Sequence, residues 1–348
     1  MVFFEWFYSV QIPIIYLAIC ITIPSTALYI AEIVTIVRHK KFHNSFYALF
    51  VMRAIPDLLY VLDSFYGYRL PSIIGAVLYP IYSKFPNWML AMFYFFAGHT
   101  LQANNLVTAF ILLNRLTAII MPIKHEKLWH KFLPFITIFV LCVPTLLYWP
   151  AFKMNAIILL KDPNSTTDRS FVIYEAEDEP YFFNYSVYIN TASSVIFTIS
   201  CVLINIATFL ACKQQLKRVG ANGNNFHNIE RKLLFYAFAT FLGHMLVASM
   251  FLMIPIITNL DDPKTKDILF IYNTLVMDTG TVMLSSWLLL WANGTLRRQL
   301  IKDFAINRIK NNRVGPMEGP RNNNHRPVGG AVGHQLQDRI SRQLPPIA

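Results

Sequence analysis

The chain has 348 residues, of which 55% are hydrophobic and only 14% charged, and it carries a net charge of +11. A composition so apolar excludes a disordered chain as a whole and points to a membrane solvent. The positive charge does not indicate a nucleic-acid binder, because it is concentrated in segments that fall on one side of the membrane, where it faces anionic lipid.

Seven apolar stretches, at residues 6–31, 46–66, 85–114, 132–152, 180–212, 233–260 and 268–296, each reach the length of about 20 residues needed to cross the hydrocarbon. The segments 1–9, 67–86, 153–186 and 259–267 hold 7 Lys and Arg, whereas 38–45, 122–131, 213–232 and 293–348 hold 21. The positive-inside rule makes the richer set cytoplasmic, with the N-terminus extracellular and the C-terminus cytoplasmic in a multi-pass plasma-membrane protein. No Lys or Arg precedes the first apolar run, which is longer than a signal-peptide core, so the first helix is expected to stay as an anchor.

The expected fold is an all-α membrane protein. A short extracellular N-terminus (1–9) leads into a seven-transmembrane helix bundle (10–292), followed by an amphipathic juxtamembrane helix (293–310) and a disordered cytoplasmic tail (311–348). The stretch 70–83 is too short for a further crossing and is broken by Pro71, Gly75 and Pro80, so it reads as an interfacial outer loop. In the outer loop before the fifth span, Asn164-Ser165-Thr166 is a glycosylation sequon, and the run Glu175 to Glu179 is either a solvated loop or a steering surface for cations. The four cysteines lie in or at the ends of spans, which leaves no extracellular disulfide to draw.

The third span ends Leu113-Asn114-Arg115-Leu116-Thr117, with Pro122 and Trp129 following. This segment resembles the Asn-Arg-Leu-Thr-x-x-x-x-Pro-x-x-x-x-x-x-Trp signature of nematode serpentine chemoreceptors of the Srg superfamily, class gamma being the nearest and sibling class V sharing much of the pattern. Phe46-Tyr47, Ala54-Ile55-Pro56-Asp57-Leu58-Leu59 and Tyr68-Arg69-Leu70-Pro71 resemble it too. The resemblance implies a G-protein-coupled chemosensory receptor of sensory-neuron membranes, with a small-molecule ligand and a heterotrimeric G protein as partners. No cofactor, metal or catalytic residue is expected. The seventh span ends Leu284-Ser285-Ser286-Trp287-Leu288-Leu289-Leu290-Trp291 without Asn-Pro-x-x-Tyr, so the detailed switch geometry of rhodopsin-like receptors does not carry over.

Arg115, beside Asn114, then has two readings: a switch residue held by an acid in the inactive state, with Glu230 as candidate partner, or an arginine snorkelling to lipid phosphates. Glu230 equally suits a helix N-terminus. Asp57 and Asp278 each fall about ten residues into a span, near the midplane, and as a facing pair would share a proton or a cation. Arg53, four residues before Asp57, offers the local alternative. Phe95, His99 and Gln102 follow helical spacing and, with Tyr272 and Thr279, form a candidate ligand pocket, set against ordinary interhelical hydrogen bonding.

Other classes fit less well. The last span has no lysine for a retinal Schiff base, and no metal-ligand spacing supports an intramembrane hydrolase. A proton- or ion-coupled transporter is the alternative that midplane acids allow, although no internal repeat links the halves.

Overall fold

A computed structural model describes residues 2–160, 169–176, 181–219, 235–236, 238–250 and 275–312. Its helices are α1 (Val2–Arg38), α2 (Ser45–Tyr82), α3 (Asn87–Ile120), α4 (His125–Tyr148), α5 (Tyr181–Val219), α6 (Phe238–Met250), α7 (Leu275–Ala292) and α8 (Gly294–Asn312). Among the described residues, six of these are long and apolar enough to cross a membrane, and α6 is a shorter apolar helix. Met1–Phe304 forms one compact unit; of the second, Ala305–Ala348, only the end of α8 is described. Of the tail read as disordered, 311–348, residues 311 and 312 continue the last helix, and the rest, with Asn164, Glu230 and Tyr272, lies outside the described residues.

Where a span begins and ends follows from local chemistry. Asn44 caps α2 by accepting a hydrogen bond from the Tyr47 amide at 3.1 Å. Pro122 follows the end of α3, and α4 restarts at His125. α1 begins at Val2, so helix takes in the stretch read as a short N-terminal segment.

The stretch 70–83 corrects the sequence reading, because it is helix rather than loop. α2 runs on through a π-turn at Phe65–Arg69 and a kink at Ile74 to Tyr82. Helix is the conformation that satisfies backbone groups without water, so a membrane helix tolerates Pro71 and Pro80 where the turn and kink absorb the freed carbonyls. Gly75 serves packing: a Cβ there would lie 2.6 Å from the Arg169 carbonyl oxygen of the hairpin above it.

That hairpin is an addition to the helical bundle. Strands β1 (Ala156–Leu160) and β2 (Phe171–Glu175) pair antiparallel, with Ala156 opposite Glu175 and Leu160 opposite Phe171. Phe171 is fully buried against Tyr79 and Tyr82, and Tyr94 on α3 donates to the Ile173 carbonyl at 3.0 Å. Glu175, read as part of a solvated or steering acidic run, is buried and caps α5. Its two oxygens accept the Phe182 and Phe183 amides at 2.8 and 2.6 Å.

α3 is the central helix, packed against α2, α4 and α5, while α1 rests on α2 and α7. One core, at the basic end, gathers Tyr29, Phe46, Phe50, Ile111, Tyr236 and Leu289; a second, under the hairpin, gathers Tyr82, Phe93, Tyr148, Phe171 and Phe182. α6 and α7 meet through glycine: a Cβ on Gly280 would lie 3.0 Å from the Gly243 carbonyl oxygen. Leu17, Ile30, Phe135, Ile196 and Phe209 are exposed, as lipid-facing positions are.

α8 divides its apolar residues between two directions. Leu296 and Leu300 are buried in the bundle, whereas Ile301 and Phe304 are exposed alongside Arg297 and Arg298. A polar latch ties the helix to the turn after α1. His39 pairs with Asp303 at 3.0 Å, Gln299 donates to Asp303 at 2.9 Å, and Lys41 donates to Gln299 at 2.8 Å.

Candidate functional site

Three buried polar layers run through the bundle. The layer at the basic end is built by the signature residues. Asn114 on α3 donates to the Ser45 hydroxyl at 2.9 Å, and Ser45, which opens α2, donates its hydroxyl and amide to Glu126 at 3.0 and 3.1 Å. Trp129 donates its indole N–H to Thr117 Oγ1 at 2.8 Å, and His125 bridges Thr117 at 3.1 Å and Ser45 at 3.2 Å. The turn after Pro122 thus folds the start of α4 back onto the end of α3, and the spacing of Asn, Thr and Trp in the signature is the spacing this knot needs. Ser45, His125 and Glu126 are members that sequence reasoning missed; His125 and Glu126 lie within the signature, at its unspecified positions.

Arg115 sits in the middle of this layer, 6% exposed, its guanidinium stacked on the Phe46 ring at 3.8 Å. Phe46 packs edge-on against Tyr47 and Tyr236, with centroids 5.4 and 5.8 Å away. Tyr47 in turn accepts a hydrogen bond from Asn293, at the junction of α7 and α8. The knot borders a cavity of about 340 Å³ lined by Lys41, Phe46, Asn114, Arg115, Glu126 and Thr295, among others.

The middle layer centres on Arg53, which is fully buried. Its Nε lies 3.6 Å from the Asp57 carboxylate and its Nη2 lies 2.7 Å from His244 Nε2. Tyr29 donates to Asp57 at 2.9 Å, and Thr108 lies 3.1 Å from the same His244 nitrogen. Arginine has no acceptor, so His244 Nε2 must be accepting and the ring carries its proton on Nδ1. One buried cation thereby joins α2 to α6, with α1 and α3 bonded to its partners.

The outer layer pairs Arg69 on α2 with Asp278 on α7, and Thr22 on α1 donates to the same carboxylate at 3.1 Å. Arg69 is 1% exposed and also lies over the Phe65 ring at 4.9 Å. Twelve residues separate Asp57 from Arg69, about 18 Å along a helix. Asp57 and Asp278 therefore do not form a facing pair that shares a proton or cation; each has its own arginine. Arg69 escaped the sequence reading because it was counted among loop charges.

The structure also disperses the candidate ligand pocket. Phe95 stacks with His99 and Phe152, at 5.6 and 4.9 Å, so the pair faces the segment that follows α4. Gln102 donates to Asn190 at 3.1 Å and Ser193 at 2.7 Å on α5. Thr279, on α7, donates to the Leu275 carbonyl at 2.8 Å. The stripe at helical spacing is real, but α3 is buried on several sides, and this stripe runs along the α4–α5 groove instead of turning toward α7.

A bundle of apolar helices with polar layers buried at three depths and a cavity among the signature residues is the build of a multi-pass membrane receptor. The profile of the Srg family of chemoreceptors matches residues 15–300, so the chain belongs to that family. It is similar to serpentine receptor class gamma-2 of Caenorhabditis elegans, 25% identical over 75% of this chain and 78% of the relative, and to class gamma-15, 24% identical over 80% and 82%. Its match to class gamma-5 of the same nematode, also 25% identical, spans 32% of this chain and only 36% of that protein's length. Membership of this family sides with a receptor over the transporter alternative and over an enzyme.

Proposed function

We propose that this protein is a G-protein-coupled chemosensory receptor. It takes a small molecule from the hairpin side, which is extracellular, and activates a heterotrimeric G protein at the basic end, which is cytoplasmic. Family membership supports the class, and one observation supports the mechanism: Arg115 is stacked on Phe46 beside an accessible cavity, within a knot that fixes the ends of α2, α3 and α4.

Tyr236 leads into the sixth helix and rests on the same Phe46 ring that carries Arg115. Movement of that helix removes Tyr236 from Phe46, loosens the stack and turns the guanidinium toward the cavity. Differential stabilisation of the two arrangements by a ligand then sets the signalling population. Glu230 is the acid proposed to hold Arg115 in the silent state.

The test is Arg115→Ala. Surface expression and ligand binding should persist, while G-protein activation in reporter cells should be lost. Normal signalling by that variant would remove Arg115 from the mechanism. Glu230→Gln should raise basal signalling, by up to roughly fivefold for a pair contributing about 1 kcal/mol; an unchanged basal rate would return Glu230 to a helix-capping role.

A further inference from the structure

Two fully buried polar groups take no part in the three layers. Glu32 on α1 has neither carboxylate oxygen hydrogen-bonded, and Tyr236 has an unbonded hydroxyl, among the described residues. They border the same core: Tyr29, one turn before Glu32 on α1, packs on Phe50 with ring centroids 5.2 Å apart, and Phe50 lies 6.5 Å from Tyr236. The charges of Glu32 and Arg115 both act through space on the hydroxyls of Tyr47 and Tyr236. On the side toward the middle layer, Arg53 and Asp57 reach Tyr236 as well. One buried site therefore receives an acid from α1, a phenol from the segment entering α6 and the switch arginine from α3.

A desolvated carboxylate and a desolvated phenol, each without a partner, are costly to hold, and a hydrogen bond between them relieves both. They are kept apart here because Tyr236 is seated on the α2 rings of Phe46 and Phe50, with centroids 5.8 and 6.5 Å away. The shift of the sixth helix that unseats Tyr236 from Phe46 is also the one that frees its hydroxyl to turn toward α1. Conversely, as long as Tyr236 covers Phe46, Glu32 has no donor.

We infer that Glu32 is a positioning residue for activation: it accepts a hydrogen bond from Tyr236 when the sixth helix shifts, and so stabilises the state in which Phe46 releases Arg115. This rests on the receptor reading above, and the present arrangement is then the silent one. The two unsatisfied groups store the bias that the shift relieves, so a ligand need only tip an equilibrium that the buried pair already favours in part.

The test uses the full-length receptor in lipid nanodiscs, without ligand, and has two arms. In thermal unfolding, Tyr236→Phe and Glu32→Met should each leave the melting temperature unchanged or raise it, because each removes an unsatisfied group from the silent state. In basal nucleotide exchange on a panel of purified heterotrimeric G proteins, each variant should be roughly three- to tenfold slower than the unaltered receptor, the worth of one hydrogen bond. The double variant should be no slower than the weaker single, because a single bond is lost. A melting temperature lowered by several degrees in either single variant shows that the group is already bonded in the silent state and overturns the proposal. Faster basal exchange, or effects that multiply in the double variant, overturn it as well. If the unaltered receptor drives exchange on no G protein, the receptor reading falls and takes the activation role with it; the thermal arm separates that failure from failure of the pair.

Discussion

Arg69 and Asp278 show what one side chain costs inside a bundle. Removing one member of a buried ion pair strands the other charge, whereas removing both for apolar groups of similar volume is nearly neutral. Asp278→Ala should therefore destabilise the purified receptor by about 3–5 kcal/mol, and Arg69→Met combined with Asp278→Leu should recover most of that in thermal unfolding. The Arg53–Asp57 pair could be read from the chain, because residues four apart share a helix face. Arg69 could not, because Pro71, Gly75 and Pro80 imitate a loop and only the bilayer makes helix the cheaper answer. Glu32 was missed for a simpler reason: it stands one residue beyond the uncharged run 6–31, where an acid looks like a span boundary.

The helices and their joints make separate predictions. Gly280→Leu would place a branched side chain against the Gly243 backbone, which cannot yield as a side-chain tip can. It should cost about 1–3 kcal/mol by overpacking and push α6 from α7, an effect visible as a lower melting temperature. At α8, burial acts to raise the Asp303 carboxyl. The hydrogen bonds from His39 and Gln299, with the charges of His39 and Arg38, outweigh it and hold the group below the ordinary carboxylate range. A depressed carboxylate contributes fully above its unfolded value of about 4 and loses that contribution as pH falls through the native value. Protection factors of the amides in residues 296–304, corrected for the intrinsic pH dependence of exchange, should fall as the pH is taken below about 4, and Asp303→Asn should lower them already at neutral pH, at a cost under about 1 kcal/mol. The spans were legible because a run of some 20 apolar residues has few alternatives. The hairpin was not, since the short apolar runs Ala156–Leu160 and Phe171–Glu175 are separated by ten residues, longer than the two- to five-residue loops by which a hairpin is read from sequence.

For the molecule as a whole, the proposed orientation rests on the distribution of charge, and glycan chemistry tests it. Asn164 should carry a glycan that glycosidase removes and Asn164→Gln abolishes, while Asn293-Gly294-Thr295, a sequon at the cytoplasmic end of the proposed topology, should stay unmodified because only luminal sites meet the transferase. A glycan on Asn293 would invert the bundle. The two π-turns bear on how this chain tolerates change in length. One, at Phe65–Arg69, ends on Arg69, and the other, at Thr279–Met283, begins directly after Asp278, so each arm of the outer ion pair adjoins a turn wound one residue wide. Such a turn acts as a phase shift, rotating everything beyond it by about 100° relative to an unbroken α-helix. Removing one residue from either turn would leave every side chain of the pair in place in the sequence yet swing one charge toward lipid, so inside these two helices the count of residues carries information that their identities do not.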